Sequence, residues 1–205
     1  MISAAKMREL EDKSEQKGIS KLRLMENAGN GIYAYIKQKF SDLKDKKILI
    51  VAYHGNNGGD GFVAARFLCE ECETDVLFVG DETKFKPEAD ANFKKIEFNE
   101  RIQLLSDPEQ VDFDDYDIII DALFGTGIKA NMADPIVYCI IEMNKAHGFT
   151  ISVDIPSGLD PDTGQSAGMA VDPDVILTFH DIKQGIIALK DKTVIVDIGI
   201  PKEMS

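Results

Sequence analysis

Residues 48–61 read ILIVAYHGNNGGDG. The apolar run Ile48–Tyr53 predicts a buried strand and Phe62–Cys69 predicts a helix, so Gly55–Gly61 is expected to form a glycine-rich turn between them. Backbone N–H groups at such a helix N-terminus can bind phosphate. The turn contains two Asn and one Asp but no Lys, and it matches neither the P-loop nor the pattern G-x-G-x-x-G. The stretch therefore favours an α/β nucleotide site without the usual basic residue, with Asp60 as the N-cap of the helix.

Apolar runs recur along the chain and are rich in Ile and Val. The predicted strands are Ile48–Tyr53, Asp75–Val79, Ile118–Leu123, Thr150–Ile155, Val175–Phe179 and Thr193–Ile198, with short additional ones at Ile96–Phe98 and Arg101–Leu105. The predicted helices are Ser3–Lys17, a longer one after Ser20, Gly61–Glu71, Pro87–Lys95, Pro135–His147 and Lys183–Leu189. Continuous apolar strands are typical of a parallel sheet between two helix layers. No linker-like segment interrupts the pattern, so we expect one domain spanning residues 1–205.

The overall charge excludes several classes of partner. The chain has 205 residues and a net charge of −13, whereas a nucleic-acid-binding protein needs a basic surface. An anionic membrane surface would repel it for the same reason. The N-terminus has no apolar segment of a secretory signal, and the three cysteines form no recognisable disulfide framework. We therefore expect a cytoplasmic protein that binds neither nucleic acid nor membranes.

Polar residues and glycine follow four of the predicted strands. They are Asn56 and Asn57, then Asp121, Gly125, Thr126 and Gly127, then Asp154, Ser157 and Gly158, and finally Thr178, His180 and Lys183. The carboxyl ends of parallel strands meet at one edge of the sheet, where ligands bind. Asp121 and Asp154 end apolar strands, so each carboxylate needs a cation or hydrogen-bond donors. The two acids suggest a bound cation, a general acid–base group, or one of each.

Six segments carry a resemblance to a known family. They are Leu24–Gly29 (LMENAG), Gly55–Gly61 with Ala64–Arg66, Asp121–Gly127 (DALFGTG), Val153–Asp160 (VDIPSGLD), Thr178–Phe179 with Lys183 and Gly185, and Asp197–Pro201 (DIGIP). In this order they resemble the NAD(P)H-hydrate epimerases, a family that includes the apolipoprotein A-I-binding protein. The segments span nearly the whole chain.

The resemblance implies a fold, a reaction and an ion. The fold would be a Rossmann-like three-layer αβα sandwich with N-terminal helices, present as a homodimer. The reaction would be epimerisation of the R and S forms of hydrated NADH or NADPH, in which a hydroxyl sits at C6 of the nicotinamide ring. One potassium ion per subunit would be held by Asn57, Asp121 and Ser157. A hard oxygen site with one negative charge suits such a cation.

The same resemblance assigns the substrate contacts. The nucleotide would lie against Asn56, Asn57, Gly58, Gly59 and Asp60, and against Gly125, Thr126, Gly127, Ile128, Lys129, Ala130 and Asn131. Asp154 would face the hydrated ring. Either loss and return of water or ring opening and closure needs a proton carrier, for which Asp154 is the first candidate and Lys183 the second.

Two other functions stay open. A non-catalytic nucleotide-binding or scaffold module could use the same fold, although it would not need Asn57, Asp121, Asp154 and Ser157 together. An NAD-dependent oxidoreductase is disfavoured because G-x-G-x-x-G is absent. The chain departs from the family at Tyr53-His54, where members commonly have a further glycine. It ends at Ser205, so we expect it to lack the ATP- or ADP-dependent dehydratase module to which members are often fused.

Overall fold

The computed structural model describes residues 1–126, 134–166 and 168–201, which form a seven-stranded sheet flanked by helices. The strands are β1 (Lys47–Ala52), β2 (Glu73–Phe78), β3 (Ile102–Leu105), β4 (Ile118–Ala122), β5 (Phe149–Val153), β6 (Val175–Phe179) and β7 (Thr193–Val196). The α-helices are α1 (Ala4–Gln16), α2 (Lys21–Lys39), α3 (Asn56–Leu68), α4 (Pro87–Ile96) and α5 (Asp134–Lys145). A 3₁₀ helix covers Gln184–Lys192, and single 3₁₀ turns lie at Glu82–Lys84, Pro108–Gln110 and Phe113–Asp115.

All the pairings in the sheet are parallel, in the order β3-β2-β1-β4-β5-β6-β7. The order reverses direction between β1 and β4, and the carboxyl ends of these two strands lie side by side there, with Val51 opposite Asp121. In open α/β sheets this reversal creates the crevice in which ligands bind.

Alternate residues of each central strand face different helix layers. Ile48 and Ile50 of β1 pack with the N-terminal helices and α3, whereas Leu49 and Val51 pack with α5. Both layers are apolar, which explains why the strands lack the alternation of a half-exposed sheet. The predicted three-layer αβα architecture with a parallel sheet and N-terminal helices is therefore confirmed.

Two local predictions were wrong. The heptapeptide Gly55–Gly61 is not a turn before the helix: α3 begins at Asn56 with Gly55 as its N-cap, so Asp60 lies inside the helix and caps nothing. Ile96–Phe98 is not a strand, because Ile96 closes α4 as a buried residue while Phe98 is exposed. In both places the helical hydrogen bonds continue through residues whose types suggested a turn or a strand.

None of the helices in the described part of the chain combines the length and the apolar character needed to cross a membrane.

Candidate active site

The glycines of the heptapeptide let α3 start very close to the sheet. A methyl group at Gly58 would lie 1.8 Å from the carbonyl oxygen of Tyr53, and one at Gly61 would lie 2.8 Å from the Cβ of Ala122. Both distances are shorter than van der Waals contact, so a side chain would force the helix away from β1 and β4. This close approach places Asn57, in the first turn of α3, in a buried position beside the strand ends.

Asp121 is completely buried at the end of β4 and accepts four hydrogen bonds. Ser157 donates two, from its N–H to Oδ2 (2.9 Å) and from Oγ to Oδ1 (2.5 Å). Ser152 Oγ donates to Oδ2 (2.8 Å), and the Leu123 N–H donates to Oδ1 (3.3 Å). Burial raises the pKa of Asp121, while these donors act in the opposite direction. The carboxylate therefore has the hydrogen-bond donors that its burial demands.

Asp154 follows β5 with a left-handed backbone (φ 65°), which is uncommon for a residue other than glycine. Its Oδ1 contacts the Lys183 ammonium and accepts longer hydrogen bonds from Thr178 Oγ1 (3.4 Å) and the Phe179 N–H (3.3 Å). Lys183 Nζ also donates to Thr178 Oγ1 (3.1 Å) and to the Phe179 carbonyl (2.7 Å). All three ammonium hydrogens thus have acceptors, although the lysine has no exposed surface.

The second carboxylate oxygen of Asp154 points to the same place as Asn57. A methyl group at Gly125 would lie 3.0 Å from Asn57 Oδ1 and 3.3 Å from Asp154 Oδ2. No described residue makes a hydrogen bond to Asp154 Oδ2, which leaves this oxygen available for a ligand. Three strand ends therefore bring Asn57, Gly125 and Asp154 together, as the sequence predicted.

Two of the three residues predicted to hold a cation, Asp121 and Ser157, are in direct contact, and Asn57 lies beside Gly125, the residue that follows Phe124. The backbone carbonyl of Phe124 lies 3.3 Å from Ser157 Oγ, which also contacts Asp121. Asn57 Nδ2 is buried and has no hydrogen-bond partner among the described residues. Turning this amide by 180° exchanges its nitrogen for its oxygen and provides another ligand. The donor set of amide, hydroxyl, carbonyl and one carboxylate fits a monovalent cation.

Two further carboxyl groups lie within the electrostatic reach of Asp154. Burial raises the pKa of Asp60 well above its ordinary value, and the negative charges of Asp154 and Glu11 raise it further. Burial also raises the pKa of Glu11, followed by the charge of Asp154. Glu11 was not predicted from the sequence, although its spacing from Met7, Leu10 and Ser14 puts it at the edge of the buried face of α1.

The other predicted site residues divide into two groups. Asn56 and Asp60 line a cavity on the N-terminal side of α3, together with Glu11 and Lys21. Gly127, Ile128, Lys129, Ala130 and Asn131 lie outside the described residues, so the nucleotide contacts predicted for them remain predictions. Thr126 is the last described residue before this segment.

A family model matches most of the chain. The model described as "YjeF-related protein N-terminus" matches residues 21–185, which include the ends of all four strands that carry the site. The chain belongs to this family. Curated relatives that match over nearly their whole length confirm the resemblance to the NAD(P)H-hydrate epimerases.

Two of these relatives are close to this chain in length. The NAD(P)H-hydrate epimerase of Nitrosopumilus maritimus is 35% identical, and the match covers 98% of this chain and 96% of that protein. The NAD(P)H-hydrate epimerase of Elusimicrobium minutum is 36% identical over 99% and 97% of the two chains.

Other relatives are longer, and one solved structure shares the fold. The bifunctional NAD(P)H-hydrate repair enzyme Nnr of Archaeoglobus fulgidus is 35% identical over 98% of this chain, but this chain spans only 42% of its length. The crystal structure of the yeast protein ynu0 superposes with a TM-score of 0.82 over 95% of this chain and 86% of that one, at 24% identity. The yeast structure supports the αβα fold.

Proposed function

We propose that this chain interconverts the R and S epimers of hydrated NADH or NADPH at C6 of the nicotinamide ring. The observation that carries the proposal is the buried contact between Asp154 and Lys183, with Asp154 Oδ2 left unpartnered next to Asn57 and Gly125. The two relatives of similar length are named for the same reaction. The reaction would change only the configuration at C6 and no oxidation state, so no redox cofactor is consumed.

The chemistry at C6 requires one proton donor and one proton acceptor. In the first route, the lone pair of the ring nitrogen expels the hydroxyl as water once its oxygen has been protonated, and a planar iminium forms. A water molecule then attacks C6 from the other face and gives up a proton, which restores the hydrate with inverted configuration. In the second route, the C6–N bond breaks and re-forms after rotation. Both routes need general acid–base catalysis, which typically contributes about 10²–10⁴-fold.

Asp154 Oδ2 would be the atom that exchanges the proton with the substrate. Its partner oxygen Oδ1 is occupied by Lys183, Thr178 and the Phe179 N–H, so the carboxyl group is held in one orientation. Lys183 has its three hydrogens bound to acceptors, and no exposed surface. We therefore assign Lys183 the role of positioning Asp154 and balancing its charge, and direct proton transfer to Asp154.

A potassium ion, one per subunit, fits the donors around Asp121. Asn57, Ser157 and the Phe124 carbonyl would complete its ligands, with Asp121 as the charged one. Bound there, the ion would supply positive charge near the phosphates of the nucleotide, which the heptapeptide lacks because it contains no Lys. The substrate phosphates would lie against Asn56–Asp60 and the segment that begins at Gly125. We also propose that the protein is a homodimer in the cytoplasm.

The proposal is tested with a single purified epimer of hydrated NADPH. Proton NMR or chromatography follows the appearance of the other epimer in a potassium buffer, with and without the protein. Catalysis requires a rate above the spontaneous one that scales with protein concentration. A rate equal to the spontaneous one would instead favour a binding or scaffold module of the same fold.

A further inference from the structure

An open pocket of about 720 Å³ lies at the carboxyl ends of β2 and β3. Its apolar surface comes from Phe78 and Val79 at the end of β2, from Pro108 after β3, and from Pro135 in the first turn of α5. Binding sites for small molecules typically have volumes of about 300–1,000 Å³ and combine apolar walls with a few polar groups. The pocket therefore has the size and the apolar surface that a nucleoside needs.

Side-chain contacts connect this pocket with the proposed active site. The N–H of Asp81, in the pocket wall, donates to His54 Nδ1 (3.1 Å). The His54 ring lies 3.8 Å from the Tyr53 ring, and Tyr53 meets the Phe124 ring edge to face at 5.1 Å, both measured between centroids. The Phe124 N–H donates to Ser157 Oγ (2.9 Å). The pocket and the active site are therefore joined by contacts along the same edge of the sheet.

The separation of the two places suits a dinucleotide. Asp154 follows β5 and the pocket lies at β2, so the order β5-β4-β1-β2 puts three strand spacings between them. At the usual distance between neighbouring strands this amounts to about 14 Å. Two nucleosides joined by a pyrophosphate extend over a similar length, with the pyrophosphate near the middle, at the ends of β1 and β4. A substrate whose nicotinamide ring meets Asp154 can therefore place its adenosine in the pocket.

The polar wall of the pocket is acidic. It contains Asp81, Glu82 and Asp107, and none of the described lining residues is Lys or Arg. The hydroxyl of Thr83 and the ammonium of Lys84 lower the pKa of Asp81 to about 2, so this carboxyl is ionised at neutral pH. Glu82 is exposed, and no described residue makes a hydrogen bond or an ion pair with its carboxylate. Lys84 balances one of the three negative charges (2.9 Å to Asp81), which leaves the wall negative.

We propose that this pocket binds the adenosine half of the substrate and favours hydrated NADH over hydrated NADPH. In dinucleotide-binding folds an acidic residue after the second strand accepts a hydrogen bond from the ribose 2′-hydroxyl, whereas a basic residue accommodates a 2′-phosphate. Glu82 follows β2 and has a free carboxylate for the hydroxyl. A 2′-phosphate would meet like charges, which weakens binding. Hydrated NADPH remains a substrate with a lower kcat/KM. This preference rests on the proposed function.

The first test measures binding without catalysis. The two probes are ADP-ribose and 2′-phospho-ADP-ribose, which contain the adenosine half and lack the nicotinamide ring. Calorimetric titration in a low-salt buffer should show that the 2′-phosphate weakens binding about 10-fold or more. The difference should shrink at high salt, because the acidic wall is open to solvent and its charges are screened. Equal affinities for the two probes, or no binding of ADP-ribose, would overturn the proposed subsite even in an active epimerase.

A charge reversal in the wall tests the location of the subsite. Glu82→Arg supplies the missing basic group, so we expect it to raise the affinity for 2′-phospho-ADP-ribose about 10-fold. Glu100→Arg is the matched control, because it changes the net charge equally at an exposed position just before β3, at the amino-terminal edge of the sheet. It should bind both probes as the wild type does. Equal effects of the two variants would overturn the assignment to this pocket.

Steady-state kinetics separates the subsite from the proposed function. The wild type should have a kcat/KM about 10-fold higher for hydrated NADH than for hydrated NADPH, and Glu82→Arg should reduce or invert this ratio through KM with little change in kcat. A wild type that epimerises both hydrates equally well would overturn the preference and leave the proposed function standing. A wild type that epimerises neither would overturn the proposed function, and the calorimetric titration would still decide whether the pocket binds adenosine.

Discussion

The Lys183 ammonium contacts Asp154 Oδ1 where no water reaches the lysine: the two side chains are 0% and 11% exposed. The N-terminus of the chain contributes to this contact. The Ile2 N–H donates to the Ile182 carbonyl (2.9 Å), and the Gln184 N–H donates to the Ile2 carbonyl (3.2 Å), so the backbone on both sides of Lys183 is fixed. An ion pair so deeply buried depends on both of its members. The stability and the proposed chemistry of this protein are therefore linked at one contact.

Replacing Asp154 by Asn should affect activity and stability together. Asp154→Asn removes the proposed proton carrier, so we expect kcat to fall about 100-fold or more. It also leaves Lys183 buried without its counter-charge, which should cost about 3–5 kcal/mol of the free energy of unfolding. The double variant Asp154→Asn/Lys183→Met should recover stability in urea unfolding but not activity. Full activity in Asp154→Asn would remove this residue from the mechanism.

The glycines of the heptapeptide should differ sharply in their tolerance of a methyl group. Gly58→Ala places its Cβ against the Tyr53 carbonyl, and we expect a loss of about 3 kcal/mol or more in the free energy of unfolding. Gly55→Ala is the matched control, because no atom lies within 4 Å of a methyl group there and its φ of −85° suits alanine. Equal stability of the two variants in urea unfolding would show that α3 does not approach the sheet this closely.

Asp60 should stabilise the fold only at low pH. Burial makes the pKa of Asp60 higher in the folded than in the unfolded protein. The contribution of Asp60 to the free energy of unfolding is therefore complete below its unfolded pKa, near 4, and is lost as the pH rises through its folded pKa. An Asn side chain cannot ionise, so Asp60→Asn buries no charge, and the variant should be more stable than the wild type at pH 7. The difference should vanish near pH 3. A variant that is less stable at pH 7 would mean that Asp60 has a stabilising partner.

Potassium should raise the thermal stability through Asp121. At about 100 times its dissociation constant, an ion that binds only the folded state adds about 2.7 kcal/mol, which corresponds to roughly 5–10 °C in Tm for a chain of this size. Calorimetry in potassium against tetramethylammonium chloride measures the shift. Asp121→Asn should lose it, while Asp117→Asn, at a partly exposed position just before β4, should keep it. Equal Tm values in the two salts for the wild type would exclude the proposed ion site.

The sequence predicted most of the sheet because apolar runs bounded by polar residues identify strands directly. The convergence of Asn57, Gly125 and Asp154 was also predictable, since parallel strands end at one edge. The start of α3 could not be predicted, because four glycines and two asparagines suggest a turn unless the close packing of Gly58 and Gly61 is known. Glu11 was missed for a similar reason: its burial depends on how α1 packs, and the charges of Asp154 and Lys183 that act on it come from distant segments. The ion ligands and the single-domain boundary remain predictions.

The most direct measurement is the first-order rate constant for interconversion of the two C6 epimers, starting from one pure epimer of hydrated NADPH. It is measured for the wild type, for Glu9→Gln, a control on the exposed face of α1, and for the double variant Asp154→Asn/Lys183→Met at equal concentrations in a potassium buffer. We predict acceleration far above the spontaneous rate for the wild type and Glu9→Gln, and the spontaneous rate for the folded double variant. A wild-type rate no faster than the spontaneous one would contradict the proposed epimerase function.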